Sequence, residues 1–244
     1  MKTNKLLIVS VLAVALLGCG KREPKHIVIL PDVSGSIDRE SLEQAFKAID
    51  DLAGHLQRGD RLTIIPILGD AEAETSGRIL RFVVPASRQA YDTDLREFRS
   101  KLNASLREMQ AEAIARPGSK TDILGAIALA EQDFHATSSE DQRLLFILTD
   151  LIEDDREFNF SKDGRLDNVG VAAQFAESVA RKGSLHFYHT RLYCGLLRSN
   201  EYVRLSNRRR ITLKTFWIRY FQSIGTNPEL ISDGPSLFND RGIR

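Results

Sequence analysis

Asp32-Val33-Ser34-Gly35-Ser36, Thr121 and Asp150 together offer three hydroxyls and two carboxylates, and each piece stands beside a segment patterned as a core element. Hard oxygen donors of this kind suit Mg²⁺, Mn²⁺ or Ca²⁺, whereas softer metals select Cys and His. Two carboxylates roughly neutralise a divalent cation, and three hydroxyls add ligands without adding charge. In an extended Asp-x-Ser-x-Ser segment alternate side chains face one way, so Asp32, Ser34 and Ser36 can point at one ion. The five histidines, His26, His55, His135, His186 and His189, show no zinc-like spacing, and no Ser-His-Asp or Cys-His arrangement is suggested.

These residues need a scaffold that brings distant segments to one rim. His26 to Leu30 is a short β-branched apolar run, the pattern of a strand buried on both faces of a parallel sheet. Leu42, Ala45, Phe46, Ile49, Ala53 and Leu56 predict an amphipathic helix over Asp38–Gln57, capped by Asp38 or Ser41. Strands follow over Arg61–Ile67 and Arg78–Val84, the second reached by a short connection and therefore antiparallel at the sheet edge, where Pro66 is also tolerated. Helical spacing marks Thr93–Arg116, ended by Pro117-Gly118, and about Asp122–Phe134, with Thr121 just before its first turn. Leu144–Thr149 is the most strand-like run, and Asp150 closes it. Helix Val171–Arg181 with Gly183 as its stop, strand Leu185–Leu192 and helix Ile211–Ile224 complete the series.

Alternating strands and helices imply an α/β fold, a doubly wound, Rossmann-like, mostly parallel sheet with one antiparallel edge strand and helices on both faces. If the first strand lies beside the fourth, the chain reverses direction between them and leaves a crevice at their carboxyl ends, where the Asp32 loop and Asp150 both emerge. The set Asp-x-Ser-x-Ser, later Thr and later Asp resembles the metal-ion-dependent adhesion site of von Willebrand factor type A domains, over approximately His26 to Ile224. The resemblance implies that Ser34, Ser36 and Thr121 are direct metal ligands and that Asp32 and Asp150 bind directly or through water. It implies Mg²⁺ first, with Mn²⁺ or Ca²⁺ as alternatives, and an Asp or Glu of a partner protein in the remaining coordination position. Two departures stand out: Leu151 follows Asp150 where the family commonly has glycine, and the charged Lys120 precedes Thr121.

The 244 residues carry 42% hydrophobic and 27% charged residues, which fits one globular domain with a full core. Lys2 and Lys5 precede an apolar run, Leu6–Leu17, too short to span a bilayer, so residues 1–18 read as a secretory signal. Leu16-Leu17-Gly18-Cys19 is similar to a bacterial lipobox, which implies cleavage before Cys19 and acylation of its sulfur. Removing residues 1–18 takes away Lys2 and Lys5 and no acid, leaving 32 basic against 33 acidic residues. Residues 19–25 then form the lipidated cysteine and a tether, of which Gly20–Lys25 reaches only about 20 Å at full extension. Residues 26–225 form the domain and 226–244 a less regular tail. Cys194 has no partner for an internal disulfide and reads as a buried small apolar residue. The expected location is the bacterial cell envelope, at the periplasmic face of the outer membrane in a diderm organism.

Gly118-Ser119-Lys120-Thr121 imitates the end of a phosphate-binding loop, but Ala113 stands where the first glycine is required. Glu153, Asp154 and Asp155 form an acidic run, read as a solvated loop with an accessory cation site as the sharper alternative. From Arg191 to Arg219 eight basic residues face one acid, Glu201, a segment suited to anionic headgroups near a short lipid tether. Nucleic acid is not an expected partner of an exported protein. The expectation is a non-enzymatic, membrane-anchored binding protein for another protein or an envelope polymer. A metal-dependent hydrolase and a scaffold with a vestigial metal site are the alternatives. Cys19→Ala is expected to abolish incorporation of a fatty-acid probe; undiminished labelling would overturn the assignment of Cys19.

Overall fold

The computed structural model describes residues 22–86, 91–115, 118, 120–137 and 141–233. The signal segment, Cys19 with the start of its tether, Arg116–Pro117 and the last part of the tail lie outside them. Six strands form one sheet: β1 (Lys25–Pro31), β2 (Arg61–Ile64), β3 (Leu80–Val83), β4 (Gln142–Thr149), β5 (Thr190–Leu196) and β6 (Pro228–Asp233). Their order is β3-β2-β1-β4-β5-β6, and every neighbouring pair is parallel except β2–β3. The helices are α1 (Arg39–Gly54), α2 (Tyr91–Ala115), α3 (Ile123–His135), α4 (Val169–Gly183), α5 (Asn200–Arg204) and α6 (Asn207–Ser223). This is the doubly wound α/β sheet with an antiparallel edge strand that the sequence pattern predicts.

Burial on both faces explains the unbroken apolar runs. Ile27, Ile29, Leu144 and Phe146 pack with Phe46 and Ile49 of α1 and with Leu102 and Leu106 of α2. Their sequence neighbours Val28, Leu30, Leu145 and Ile147 turn to the other face, against Ile127 of α3, Phe175 of α4 and Trp217 of α6. Each fully buried large apolar side chain contributes about 1.5–3 kcal/mol relative to exposure. Asp38 caps α1 by accepting from Ser41 N at 2.7 Å. Cys194 is buried, and burial pushes its thiol up to about 12. Among the described residues no helix is long and apolar enough to cross a membrane.

Four expectations need correction. The strand placed at Leu185–Leu192 begins only at Thr190, because His189 takes a left-handed φ of 61° and Thr190 N turns back to Phe187 O at 3.2 Å. Residues 228–233 of the segment set apart as a tail form β6, parallel to β5. β2 is interior, between β1 and β3, and stops at Ile64, so Pro66 stands beyond the ladder rather than at an edge. At the end of α4, Ser184 rather than Gly183 adopts the left-handed conformation, at φ 52°.

A polar knot closes the base of the sheet. His26 Nε2–H donates to Asp133 Oδ2 at 3.0 Å, and Arg81 Nε donates to Asp133 Oδ1 at 2.7 Å, joining β1, β3 and α3. Burial pushes the Asp133 carboxyl up, but hydrogen bonds from His26, Thr63 and Arg81 outweigh it and hold the group at about 2. A carboxyl held below its unfolded value stabilises the fold fully above that value and loses the effect as pH falls through the folded one. Asp133→Asn is therefore expected to destabilise the protein at pH 7 by on the order of 2–3 kcal/mol. In denaturant melts its deficit against the wild type should shrink between about pH 4 and pH 2.

Candidate metal centre

The β1–β4 ladder aligns Pro31 with Leu148, and its next bond runs from Asp32 N to Leu148 O at 2.8 Å. Asp32 and Asp150 thereby leave adjacent strands at the same edge of the sheet. Beyond Asp32 the chain is held on its other side, by Val33 N to Ile67 O at 3.4 Å and Gly35 N to Gly118 O at 2.8 Å. Val33 points into the α1–α2 side of the core, and the alternate residues turn the other way. Asp32 Oδ1 accepts from Ser34 N at 2.9 Å, and the Ser34 and Ser36 hydroxyls lie 2.9 Å apart. Thr121 reaches the rim through its backbone, pairing with Asp154 in both directions at 2.9 Å, while Asp122 N donates to Leu68 O at 2.7 Å. The structure thus gathers Asp32, Ser34 and Ser36, sets Asp150 against Asp32, and delivers Thr121 to the same edge. The Thr121 hydroxyl makes no hydrogen bond to the other four.

The two carboxylates are buried without a counter-charge. Asp32 is 0% and Asp150 1% exposed, and among the described residues neither forms an ion pair. Asp32 Oδ2 accepts from Thr149 Oγ1 at 2.7 Å, and Asp150 Oδ1 accepts from Ile152 N at 2.9 Å. Asp150 Oδ2 is buried with no hydrogen-bond partner; the nearby Ser199 hydroxyl favours the charged carboxylate but makes no bond of ordinary geometry to this oxygen. Burial and then the charge of Asp32 push the Asp150 carboxyl up to about 7, against the pull of Ser199 and Ile152 N–H. Burial likewise raises Asp32, opposed by Ser34 and Thr149. Orphaned oxygen, paired like charges and adjacent hydroxyls form a donor set that fits a hard divalent cation.

Several contributors are invisible in the motif. The Thr149 hydroxyl bridges to Asp32. Leu151 takes a left-handed φ of 67°, the backbone state that glycine adopts freely, and Trp217 Nε1 donates to its carbonyl at 2.8 Å. Lys120 turns away from Thr121 and donates to Asp155 O at 3.0 Å. Of the acidic run, Glu153 is buried and accepts from Ile123 N and Leu124 N at 3.1 and 3.0 Å, anchoring the start of α3. Its carboxylate, with those of Asp122 and Asp155, forms a group whose ligand oxygens lie within 4.8 Å of one another. The basic segment is largely internally paired: Arg191 with Glu229, Arg198 with Asp38, Arg209 with Asp167 and Arg219 with Glu177. Arg204, Arg208 and Lys214 form no ion pair among the described residues.

No family model and no curated protein matches the chain. Solved structures do. The conserved hypothetical protein BatB from Bacteroides thetaiotaomicron is 17% identical, with 87% of this chain and 92% of that one covered and a TM-score of 0.43. A von Willebrand factor type A protein from Catenulispora acidiphila is 16% identical over 80% of this chain and 43% of that one, at 0.41. The manganese-loaded TRAP protein of Plasmodium vivax is 12% identical over 89% and 71%, at 0.44. The antiparallel edge strand and the adjacency of β1 and β4, where the chain reverses direction across the sheet, are those expected from the sequence pattern. The fold is von Willebrand factor type A-like.

A carboxyl whose folded value lies above its unfolded one makes the fold less stable as pH rises, because ionising it costs more in the folded state. For Asp150 that window runs from about 4 to about 7. In chelator, Asp150→Asn of this type A-like domain is expected to melt higher than the wild type at pH 8, by about 3 °C or more. The advantage should fade toward pH 4 in calorimetric scans across pH.

Proposed function

We propose that this chain is an exported, lipid-anchored protein of the bacterial cell envelope whose type A-like domain binds a protein or envelope polymer through a divalent cation. The observation that carries the reading is the orphaned, buried Asp150 Oδ2 beside Asp32 at the rim of the β1–β4 crevice. Ser34, Ser36 and Thr121 would hold Mg²⁺, or Mn²⁺ or Ca²⁺, directly, with Asp32 and Asp150 bound directly or through water. The cation supplies positive charge and an open coordination position suited to an outside carboxylate. The chain's own residues do the rest: Thr149 and Ser34 N–H orient Asp32, and Ile152 N–H orients Asp150. Binding rather than catalysis is the reading we favour, because a hard oxygen donor set of this kind suits holding a cation.

The short tether from Cys19 would keep the domain close to its membrane. Exposed Val203, Ile211 and Ile218 on α5 and α6, beside the unpaired Arg204, Arg208 and Lys214, suit contact with anionic headgroups. In a diderm bacterium the site would work at the periplasmic face of the outer membrane.

The test combines metal and partner. Ser34→Ala and Thr121→Ala are expected to weaken Mg²⁺ or Mn²⁺ binding by about tenfold or more in calorimetry, with circular dichroism unchanged. A partner captured from native membranes should be released by chelator, and Asp150→Ala should mimic chelation. A partner that stays bound in excess chelator and to Asp150→Ala would overturn the reading.

A further inference from the structure

Leu151 is a residue in the wrong backbone state for its type, directly after Asp150. At φ 67° its Cβ crowds the backbone, and it stays there because the surroundings over-determine it. Two hydrogen bonds do so. Leu151 N donates to Thr149 Oγ1 at 3.2 Å, and that same hydroxyl donates to Asp32 Oδ2 at 2.7 Å. Leu151 O accepts from Trp217 Nε1 at 2.8 Å. The indole is itself fixed: it is fully buried, with the rings of Phe216, Tyr220, Phe221 and Phe160 centred 5.3, 5.7, 5.7 and 5.9 Å away. These bonds connect α6, through the turn after β4, to the Asp32 carboxylate at the rim.

We infer that Trp217 is a positioning residue for the candidate metal centre, its indole N–H holding Leu151 in the left-handed turn that aims Asp150. The inference rests on the proposed metal reading for its affinity readout but not for its structural one. With the N–H removed, the Leu151 carbonyl is buried without a donor and only the bond from Leu151 N to Thr149 Oγ1 still opposes relaxation to negative φ, which rotates the peptide joining Leu151 to Asp150. A glycine at 151 would hold the turn without help, since it has no Cβ to crowd.

Trp217→Phe keeps an aromatic ring and removes the donor. It is expected to raise the Mg²⁺ dissociation constant about tenfold or more and to move the backbone NMR shifts of Asp150, Leu151 and Ile152 in the metal-free protein. Phe216→Leu, in the same aromatic cluster but without a bond to Leu151, should lower the melting temperature and leave affinity and those shifts in place. In a Leu151→Gly background the loss caused by Trp217→Phe should shrink to roughly threefold or less, because the turn no longer needs the bond. Leu151 is buried, and if its replacement does not fold, benzothienylalanine at 217 gives the second variant; it matches indole in shape and lacks the N–H. Trp217 is the chain's only tryptophan, so this substitution can be made at every tryptophan codon. Unmoved shifts at 150–152 in Trp217→Phe, or equal affinity losses in Trp217→Phe and Phe216→Leu, would overturn the inference. A wild-type chain that takes up neither Mg²⁺ nor Mn²⁺ refutes the metal reading instead, and the backbone shifts then decide the role of Trp217.

Discussion

Two like charges buried side by side are the constraint around which the rim is organised. Asp32 and Asp150 meet because β1 and β4 are parallel neighbours in a fixed register, Pro31 against Leu148. A slip of one residue in either strand would turn one carboxylate toward the opposite face of the sheet and leave the pair unmade. The register is secured by burial, since both faces of β1 and β4 are covered and any slip would misplace every core side chain along them. The core is thus the device that forces the repulsion. Thr149, Ser34 N–H and Ile152 N–H reduce it by binding single oxygens, but hydrogen bonds from neutral groups do not cancel two charges.

Sequence made the scaffold legible wherever burial was two-sided or periodic. The runs in β1 and β4 and the spacing in α1, α2 and α3 carry the chemistry of their surroundings in their own composition. Leu185–His189 shows why this fails elsewhere: Leu185 and Phe187 alternate with polar neighbours as a strand would, yet Phe187 is buried by a turn whose N–H bonds to Ile224 O at 2.8 Å, across the molecule. β6 was illegible because it opens on Pro228 and is an edge strand with an irregular register against β5. The same division runs through the rim. Asp32, Ser34, Ser36, Thr121 and Asp150 stand at strand ends and helix starts, where spacing speaks. Thr149 and Trp217 act through tertiary contacts, and nothing in L-L-F-I-L-T or in the periodicity of α6 announces them.

Charge counting illustrates the limit from the other side. Eight cations between Arg191 and Arg219 suggest a uniformly basic face, but the fold pairs Arg191, Arg198, Arg209 and Arg219 with its own acids and directs Arg209 and Arg210 to backbone carbonyls. Arg209 donates to the carbonyls of Phe160 and Asp163, and Arg210 to those of Tyr202 and Val203, so these guanidiniums staple loops and helix ends. The cations left over, Arg204, Arg208 and Lys214, stand beside exposed Val203 and Ile211, a much smaller surface than composition implies. A net charge describes what a chain carries, and only packing decides which charges face outward.

The buried acids of this protein separate by how completely their own chain satisfies them. Asp60 accepts from Arg22, Lys25 N and Gln57 N, each at 2.9 Å. Asp133 has His26 and Arg81, Glu153 has two helix N–H groups, and even Asp141, whose Oδ2 lacks a hydrogen bond, has Arg61 3.4 Å away. Each of these is closed internally by a cation or by a donor for both oxygens. Asp150 has one bond of ordinary geometry, the Ser199 hydroxyl nearby, an oxygen without a bond and a like charge for its neighbour. Among the described residues, the other buried acids are thus satisfied by their own chain and this one is left with an open oxygen. Protonation of Asp150 relieves the repulsion up to about pH 7; once both carboxylates are ionised, the charge left unmet inside the chain is what a cation at the proposed site would balance.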